Sequence, residues 1–214
     1  YQLLAELGSG GMGNVYKALH TRLKRVVALK VLPTDRMKDK EAVARFEREM
    51  EAVGRLVHPH IVLAHDAGDS DGRHYLVMEL VDGINLSDLV REQGPLPIPE
   101  ACEIVRQAAM GLQHVYEHGL VHRDIKPGNL MLTRVSTVKL LDLGLARLAE
   151  AADLDSELTT TGQAMGTLDY MAPEQGGDSH GVDIRADIWS LGATLYKLLT
   201  GHAIAFKYPV EQVP

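Results

Sequence analysis

The sequence predicts an α+β chain of two lobes: a small antiparallel β lobe that carries one helix, then a mainly helical lobe. Three observations carry this. Residues 1–32 alternate strand-like runs with turns, residues 41–57 repeat apolar side chains at three- and four-residue spacing, and beyond Asp82-Gly83 the apolar periodicity becomes helical. At 214 residues, with 45% hydrophobic and 24% charged composition, the chain can bury one good-sized core or two small lobes and is not a disordered polymer.

The first strands are read at 1–7, 14–19 and 26–32, with the Gly-rich stretch 8–13 as the first turn of an antiparallel meander. In 41–57, Val43, Phe46, Met50, Val53 and Leu56 form the apolar stripe of a helix that packs on this meander. Strands at 61–67 and 74–81 follow, separated by Asp69-Ser70-Asp71-Gly72-Arg73, whose Asp-Gly pair signals a tight turn. Pro99 then opens a helix that runs to about residue 118, with Ala101, Ile104, Val105, Ala108, Leu112 and Val115 on one face. Short strands are expected at 130–132 and 138–141, a mobile Thr-rich loop at 150–166, and another buried helix at 187–200.

A formal net charge of -7 argues against nucleic acid or an anionic membrane as the main partner, because either rewards a basic face. Any basic site must be local. Cys102 is the one cysteine, so no internal disulfide forms and a reducing compartment is expected. Within its helix, Cys102 is expected to be a small buried residue. No long apolar run and no basic-then-apolar amino terminus occurs, so no membrane span or signal peptide is expected within these residues.

Gly8-Ser9-Gly10-Gly11-Met12-Gly13-Asn14-Val15 reads G-x-G-x-x-G-x-V. A strand follows where a dinucleotide-binding turn needs a helix, and no Gly-Lys-Ser/Thr closes the motif as a Walker loop would require. What remains is a plain hairpin turn or a loop whose backbone N–H groups approach phosphates. In Val27-Ala28-Leu29-Lys30 the lysine alone reads as a solvated strand residue. Its place in the strand beside the Gly-rich loop lets it reach bound phosphates. Glu49, on the 41–57 helix, is its expected partner, with Glu47 and Glu51 as competing carboxylates or all three as a solvated face.

His122-Arg123-Asp124-Ile125-Lys126-Pro127-Gly128-Asn129, followed by Asp142-Leu143-Gly144, gathers the chemistry of phosphoryl transfer. Asp124 can take a hydroxyl proton, Lys126 is a cation, and Asn129 and Asp142 offer oxygens to a metal-bound polyphosphate. Each residue alone has an ordinary turn explanation. Together, after a matching loop and lysine, they argue for an enzyme. His122 is read as a packing and hydrogen-bonding residue, and His58 and His60 lack the supporting ligands of a zinc site.

This string resembles the catalytic loop of protein kinases, and Asp142-Leu143-Gly144 resembles their metal-binding Asp-Phe-Gly with Leu for Phe. Phe46-Glu47-Arg48-Glu49 with His58-Pro59-His60-Ile61-Val62 resembles the corresponding region of bacterial Ser/Thr kinases, with Glu49 at the lysine-pairing position. Gly166-Thr167-Leu168-Asp169-Tyr170-Met171-Ala172-Pro173-Glu174 resembles the segment that holds the substrate peptide, and Asp187-Ile188-Trp189-Ser190-Leu191-Gly192 the buried helix after it, with Trp189 in the core. Lys126 together with Thr167, as a substrate-positioning residue, resembles the serine/threonine branch. Gly-Gly-Met-Gly and Ala-Pro-Glu-Gln are similar to bacterial members.

The resemblance implies one catalytic domain over 1–214, with a β lobe at 1–78, a hinge at 79–84 and a partial helical lobe at 85–214. ATP and Mg2+ are its implied cofactors. Leu7, Val15, Ala28 and Met131 would sandwich the adenine, Met78 would line the rear, backbone groups of Glu79 and Val81 would read the base edge, and Gly8, Gly10 and Gly13 would cover the phosphates. Lys30, held by Glu49, would fix the phosphates, Asn129 and Asp142 would hold magnesium, and Asp124 and Lys126 would act on the hydroxyl and the phosphoryl group. Arg123 with Thr159 or Thr161 would form a phosphorylation-dependent regulatory pair.

Protein Ser/Thr substrates, self-association for autophosphorylation, no nucleic acid and a cytoplasmic location follow as expectations. The alternatives are a pseudokinase scaffold, which should have lost Lys30, Asp124 or Asp142; a small-molecule phosphotransferase, which should lack 166–174; and a non-catalytic fragment. The family's helices beyond Pro214 are absent from the sequence, so Glu174 is expected to lack its usual Arg partner and the chain alone to be poorly soluble or weakly active.

Overall fold

The computed structural model describes residues 1–10, 13–32, 40–143, 168–176 and 182–204, with the backbone alone at 40–42, 45, 46 and 49. Strands β1 (Gln2–Gly10), β2 (Gly13–His20), β3 (Arg25–Val31), β4 (Ala64–Ser70) and β5 (Arg73–Glu79) form one antiparallel sheet in the order β1-β2-β3-β5-β4. The β4–β5 turn is the two-residue Asp71-Gly72, at φ +52 and +73, which is the pair of positive angles a type I′ hairpin demands.

Register decides what this sheet shows to the rest of the molecule. Val15 lies opposite Lys30, Lys30 opposite Leu76, and Ala28 opposite Met78, so these five side chains share one face. Helix α1 (Lys40–Gly54) packs there: its Met50 and Val53, with Leu56 just beyond, join Ala28, Leu76 and Met78 in the main core. The opposite face buries a separate cluster of Ala18, Val27, Leu29 and Val77.

The second half contains a small sheet of β6 (Gly83–Asn85), β7 (Leu130–Thr133) and β8 (Val138–Leu140), with helices α2 (Leu86–Gln93), α3 (Ile98–Glu117) and α4 (Ile184–Thr200). One continuous core runs from Ala28 through Leu86, Ile104, Leu112, Leu130 and Leu140 to Leu198, so the two halves share buried apolar surface. Gln107 ties α3 to the small sheet: its Nε2 donates to Ser136 O at 3.1 Å and its Oε1 accepts from Val138 N at 2.8 Å.

Three expectations are corrected. The fourth strand begins at Ala64 rather than at 61, because His60 O and Val62 N–H, on either side of Ile61, bond across to Leu140 and Leu63 bonds to Glu79. Cys102 is exposed, since its helical neighbours Ala101 and Ile104 take the inward positions. Strand β6 and helix α2 fall where neither was expected. Helix α2 carries its own signal: Asn85 caps it by accepting Asp88 N–H at 2.9 Å, and Leu86, Leu89 and Val90 are buried at helical spacing. Eight residues are too few for periodicity alone to mark.

Candidate active site

Strand β3 delivers Lys30 to the shared face, where only 2% of its side chain remains exposed. A buried ammonium needs an opposite charge, and the Asp142 carboxylate supplies one, with Oδ1 2.9 Å from Nζ. Asp142 stands just after β8 at φ +58, a left-handed conformation uncommon for a residue with a side chain. Leu143, at the position of the family's Phe, is buried against Val53, Val62 and Met78 around a cavity of about 10 Å³, so the smaller residue still packs. Met78 lines this cavity together with Asp142.

The segment before β7 gathers the remaining groups. Lys126 Nζ donates to Asp124 Oδ2 at 2.9 Å, and Asn129 Nδ2 donates to both that oxygen and the Asp124 carbonyl at 2.8 Å. Pro127–Asn129 is a turn of 3-10 helix, which folds the amide back onto the carboxylate. The Leu141 N–H donates to Asn129 O at 2.9 Å, tying this turn to the residue before Asp142.

His122 holds the loop rather than the chemistry. Its Nε2 donates to Leu141 O at 2.8 Å, which fixes the tautomer and leaves Nδ1 to accept from Asp124 N at 3.4 Å. Beneath it, Asp187 of α4 accepts the N–H of His122 at 2.8 Å and of Arg123 at 2.7 Å. Arg123 sits at φ +66, so these bonds hold a strained backbone immediately before Asp124. Burial pushes the Asp187 carboxyl above its ordinary pKa, opposed by His122 and by the two N–H donors. Gln175 closes the far side, donating to Arg123 O at 2.9 Å and accepting from Ala172 N at 3.0 Å.

Sequence reasoning missed the anchoring roles of Asp187 and Gln175. The signal for Asp187 was present: a carboxylate within a buried helix must have donors. Also missed was a contact at the end of β5, where the Glu79 carboxylate accepts from Leu63 N at 2.9 Å and pairs with Lys139 of β8.

Val15 and Ala28 lie on the face that carries Lys30, and Met131 lies opposite Lys139 in the small sheet. Gly8 pairs with Val15 and Gly10 with Gly13 at the end of the first hairpin, while Leu7 is about half exposed. Val81 packs at the margin of the main core. The side chain of Glu49 and all of Thr159, Thr161 and Thr167 lie outside the described residues.

The protein kinase domain model matches residues 1–212. The serine/threonine-protein kinase PknB of Mycolicibacterium smegmatis is 41% identical over 206 residues, covering 94% of this chain and 32% of that protein. PknD of Mycobacterium tuberculosis is 45% identical over 202 residues, covering 94% of this chain and 30% of that protein. A crystal structure of the Mycobacterium tuberculosis PknI kinase domain superposes with a TM-score of 0.74 at 34% identity, over 95% of this chain and 75% of that one. The fold is the two-lobed protein-kinase fold, and the chain belongs to the protein kinase domain family. It spans about a third of the length of the curated relatives it matches.

Proposed function

We propose that this chain is the catalytic domain of a serine/threonine protein kinase, transferring the γ-phosphoryl group of ATP to a protein hydroxyl. One observation carries the reading: the Asp124 carboxylate is held by Lys126 and Asn129, on a segment bonded to the residue preceding the Lys30-paired Asp142. The domain divides into a β lobe at 1–78, a hinge at 79–84 and a helical lobe from 85 onward.

In this reading ATP lies between Val15 and Ala28 above and Met131 below, with Leu7 at the entrance and Met78 behind. The Glu79 N–H is already committed to Leu63 O at 2.9 Å, so Glu79 offers the base its carbonyl, and Val81 offers the next backbone groups. Gly8, Gly10 and Gly13 let the hairpin backbone approach the phosphates, which Lys30 draws into place, with Glu49 as a further partner of the lysine.

Asp124 orients the substrate hydroxyl and accepts its proton as the oxygen–phosphorus bond forms and the bond to the ADP oxygen breaks. Both donors converge on Oδ2, which supports Oδ1 as the acceptor of that proton. Lys126 lies 2.9 Å from the same carboxylate and stabilises the transferred group, and Thr167 positions the peptide. Catalysis is then placement and electrostatics.

Among the described residues, no three His, Cys, Asp or Glu side chains are grouped to hold a metal ion by themselves. The donors present are the Asp142 carboxylate and the Asn129 amide oxygen, whose NH2 group is spent on Asp124. Such a sparse, all-oxygen set suits magnesium, which keeps several waters and takes one or two protein oxygens together with substrate phosphates. Bound there, magnesium supplies charge neutralisation at the phosphate oxygens.

A requirement for ATP and the single thiol fit a cytoplasmic location, and transfer between two copies fits the Thr-rich segment that contains Thr159 and Thr161. The test is incubation with labelled ATP, magnesium and a generic protein substrate, with Asp124→Asn as control. Label on serine or threonine that depends on Asp124 is the expected result. Absence of transfer, or equal transfer by Asp124→Asn, would overturn the assignment.

A further inference from the structure

Glu79 carries two separate loads. Its backbone N–H donates to Leu63 O at 2.9 Å, while its carboxylate accepts the Leu63 N–H at 2.9 Å and binds the Lys139 ammonium. Lys139 also reaches Ile61 O at 3.3 Å. A single lysine of the small sheet thus joins three segments: β8, the connection that enters β4, and the end of β5 where the hinge begins.

Register makes this junction part of the nucleotide cleft. Lys139 lies directly opposite Met131 in the β7–β8 pair, so the residue assigned beneath the adenine and the residue that grips Glu79 stand side by side on one sheet face. Lys139 and Glu79 are 17% and 28% exposed. A charge-assisted contact this sheltered is screened less than a surface pair and fixes its partner's geometry more firmly.

Resting on the kinase reading above, we propose that Lys139 is a positioning residue for the adenine base, acting through the Glu79 carboxylate to set the Glu79 carbonyl and the backbone of Leu80 and Val81. The mechanism needs no contact between Lys139 and ATP. Without the ammonium, the Glu79 side chain keeps, among the described residues, only the Leu63 N–H, and the start of the hinge is left to its main-chain pairing with β3 and the Leu63 bond. The base edge then meets acceptors and donors spread over more conformations, which costs affinity and discrimination rather than chemistry.

The experiment uses the full-length protein and titrates a fluorescent methylanthraniloyl ATP with magnesium, alongside steady-state transfer with ATP and GTP. Lys139→Met is expected to raise the nucleotide Kd about 10-fold, equivalent to about 1.4 kcal/mol, with kcat changed by no more than about two-fold. The preference for ATP over GTP should narrow, a readout that general loosening of the fold would not move. Lys139→Arg should restore both. Glu79→Gln, which keeps an acceptor for Leu63 but not the charge, should reproduce the Lys139→Met phenotype and stands in for it if that variant fails to fold. Unaltered Kd and ATP preference in these variants, while the unsubstituted protein binds nucleotide, overturns the inference alone. No nucleotide binding by the unsubstituted protein overturns the kinase reading and the inference with it.

Discussion

The Lys30 ammonium meets the Asp142 carboxylate at 2.9 Å, so the β3 lysine and the acid after β8 are paired across the cleft. Each of these groups is assigned to the phosphates, the lysine directly and the acid through magnesium. Lys30→Met, Asp142→Asn and Asp124→Asn are each expected to lower kcat/KM by at least about 100-fold, or about 2.7 kcal/mol of transition-state stabilisation. Asp142→Asn should also weaken magnesium-dependent nucleotide binding. Steady-state kinetics and nucleotide titration check this, and a near wild-type rate for Asp124→Asn would remove that carboxylate from the mechanism.

Asp187 secures the loop from beneath, accepting N–H groups of His122 and Arg123 at 2.8 and 2.7 Å. Asp187→Ala strands two sheltered donors at about 1–3 kcal/mol each, so chemical denaturation should show a loss of about 2–6 kcal/mol. Transfer should fall with it, because these two bonds hold the backbone at Arg123, at φ +66, immediately before Asp124. Asp187→Asn keeps one acceptor oxygen and should lose less. Equal unfolding midpoints for the alanine variant and the wild type would show that these bonds do not support the loop.

Gly13 ends the Gly-rich hairpin at φ +110, and a methyl group there would lie 2.2 Å from Val31 O. That oxygen belongs to the backbone of β3, so the end of the β2–β3 pairing must move. Gly13→Ala is expected to cost about 1–3 kcal/mol, which lowers Tm by roughly 2–12 °C in a domain of this size, and to raise the KM for ATP. An unchanged melt and KM would mean that the hairpin tolerates the shift.

What the sequence disclosed and what it hid follow from the range of the interactions. Apolar periodicity placed α1, α3 and α4 because their stripes extend over three or more turns, and the Asp71-Gly72 pair placed the β4–β5 hairpin because two positive φ angles have few residue solutions. Asp124, Lys126 and Asn129 were legible because their contacts are made within five residues. The partners of Asp187 and Lys139 were not, since they lie 64 and 60 residues away: a buried acid announces that it needs donors, but no local pattern names them, nor the cation for the Glu79 carboxylate. Cys102 was misplaced by composition alone, because a cysteine's preference for burial is weaker than the helical phase set by Ala101 and Ile104.

Phosphorylation of Thr159 or Thr161 would add about two negative charges ahead of the substrate-holding segment, and Arg123 is the proposed cationic partner. Autophosphorylation there is expected to raise activity, with Thr159→Ala combined with Thr161→Ala reducing it. Mass spectrometry of an active preparation checks the modification, and the absence of phosphate on 159–161 would sink the proposal.

A column of imidazoles predicts how stability follows pH. His58 stacks on His114 with ring centroids 5.0 Å apart, His114 approaches His118 at 4.3 Å, and His60 lies 5.4 Å from His58, so the connection after α1 meets α3 through aromatic nitrogen rings. Burial first, then His114, His60 and Lys139, pushes the His58 pKa below 6.5, while Glu117 opposes them. A base with a depressed folded pKa is bound less tightly to its proton when folded, so the unfolded chain takes up more protons in the window below 6.5. Stability contributed by neutral His58 is therefore complete above that value and is lost as pH falls toward and through the lowered folded pKa. His65, also lowered, chiefly by its burial and then by Arg25, adds the same sign, so the wild-type slope alone does not isolate His58. Denaturation midpoints measured from pH 7.5 down to about 5 should fall less steeply in His58→Gln than in wild type, because the substitute has no proton to bind near these values. Superimposable pH profiles for the two proteins would show that His58 carries no protonation-linked stability.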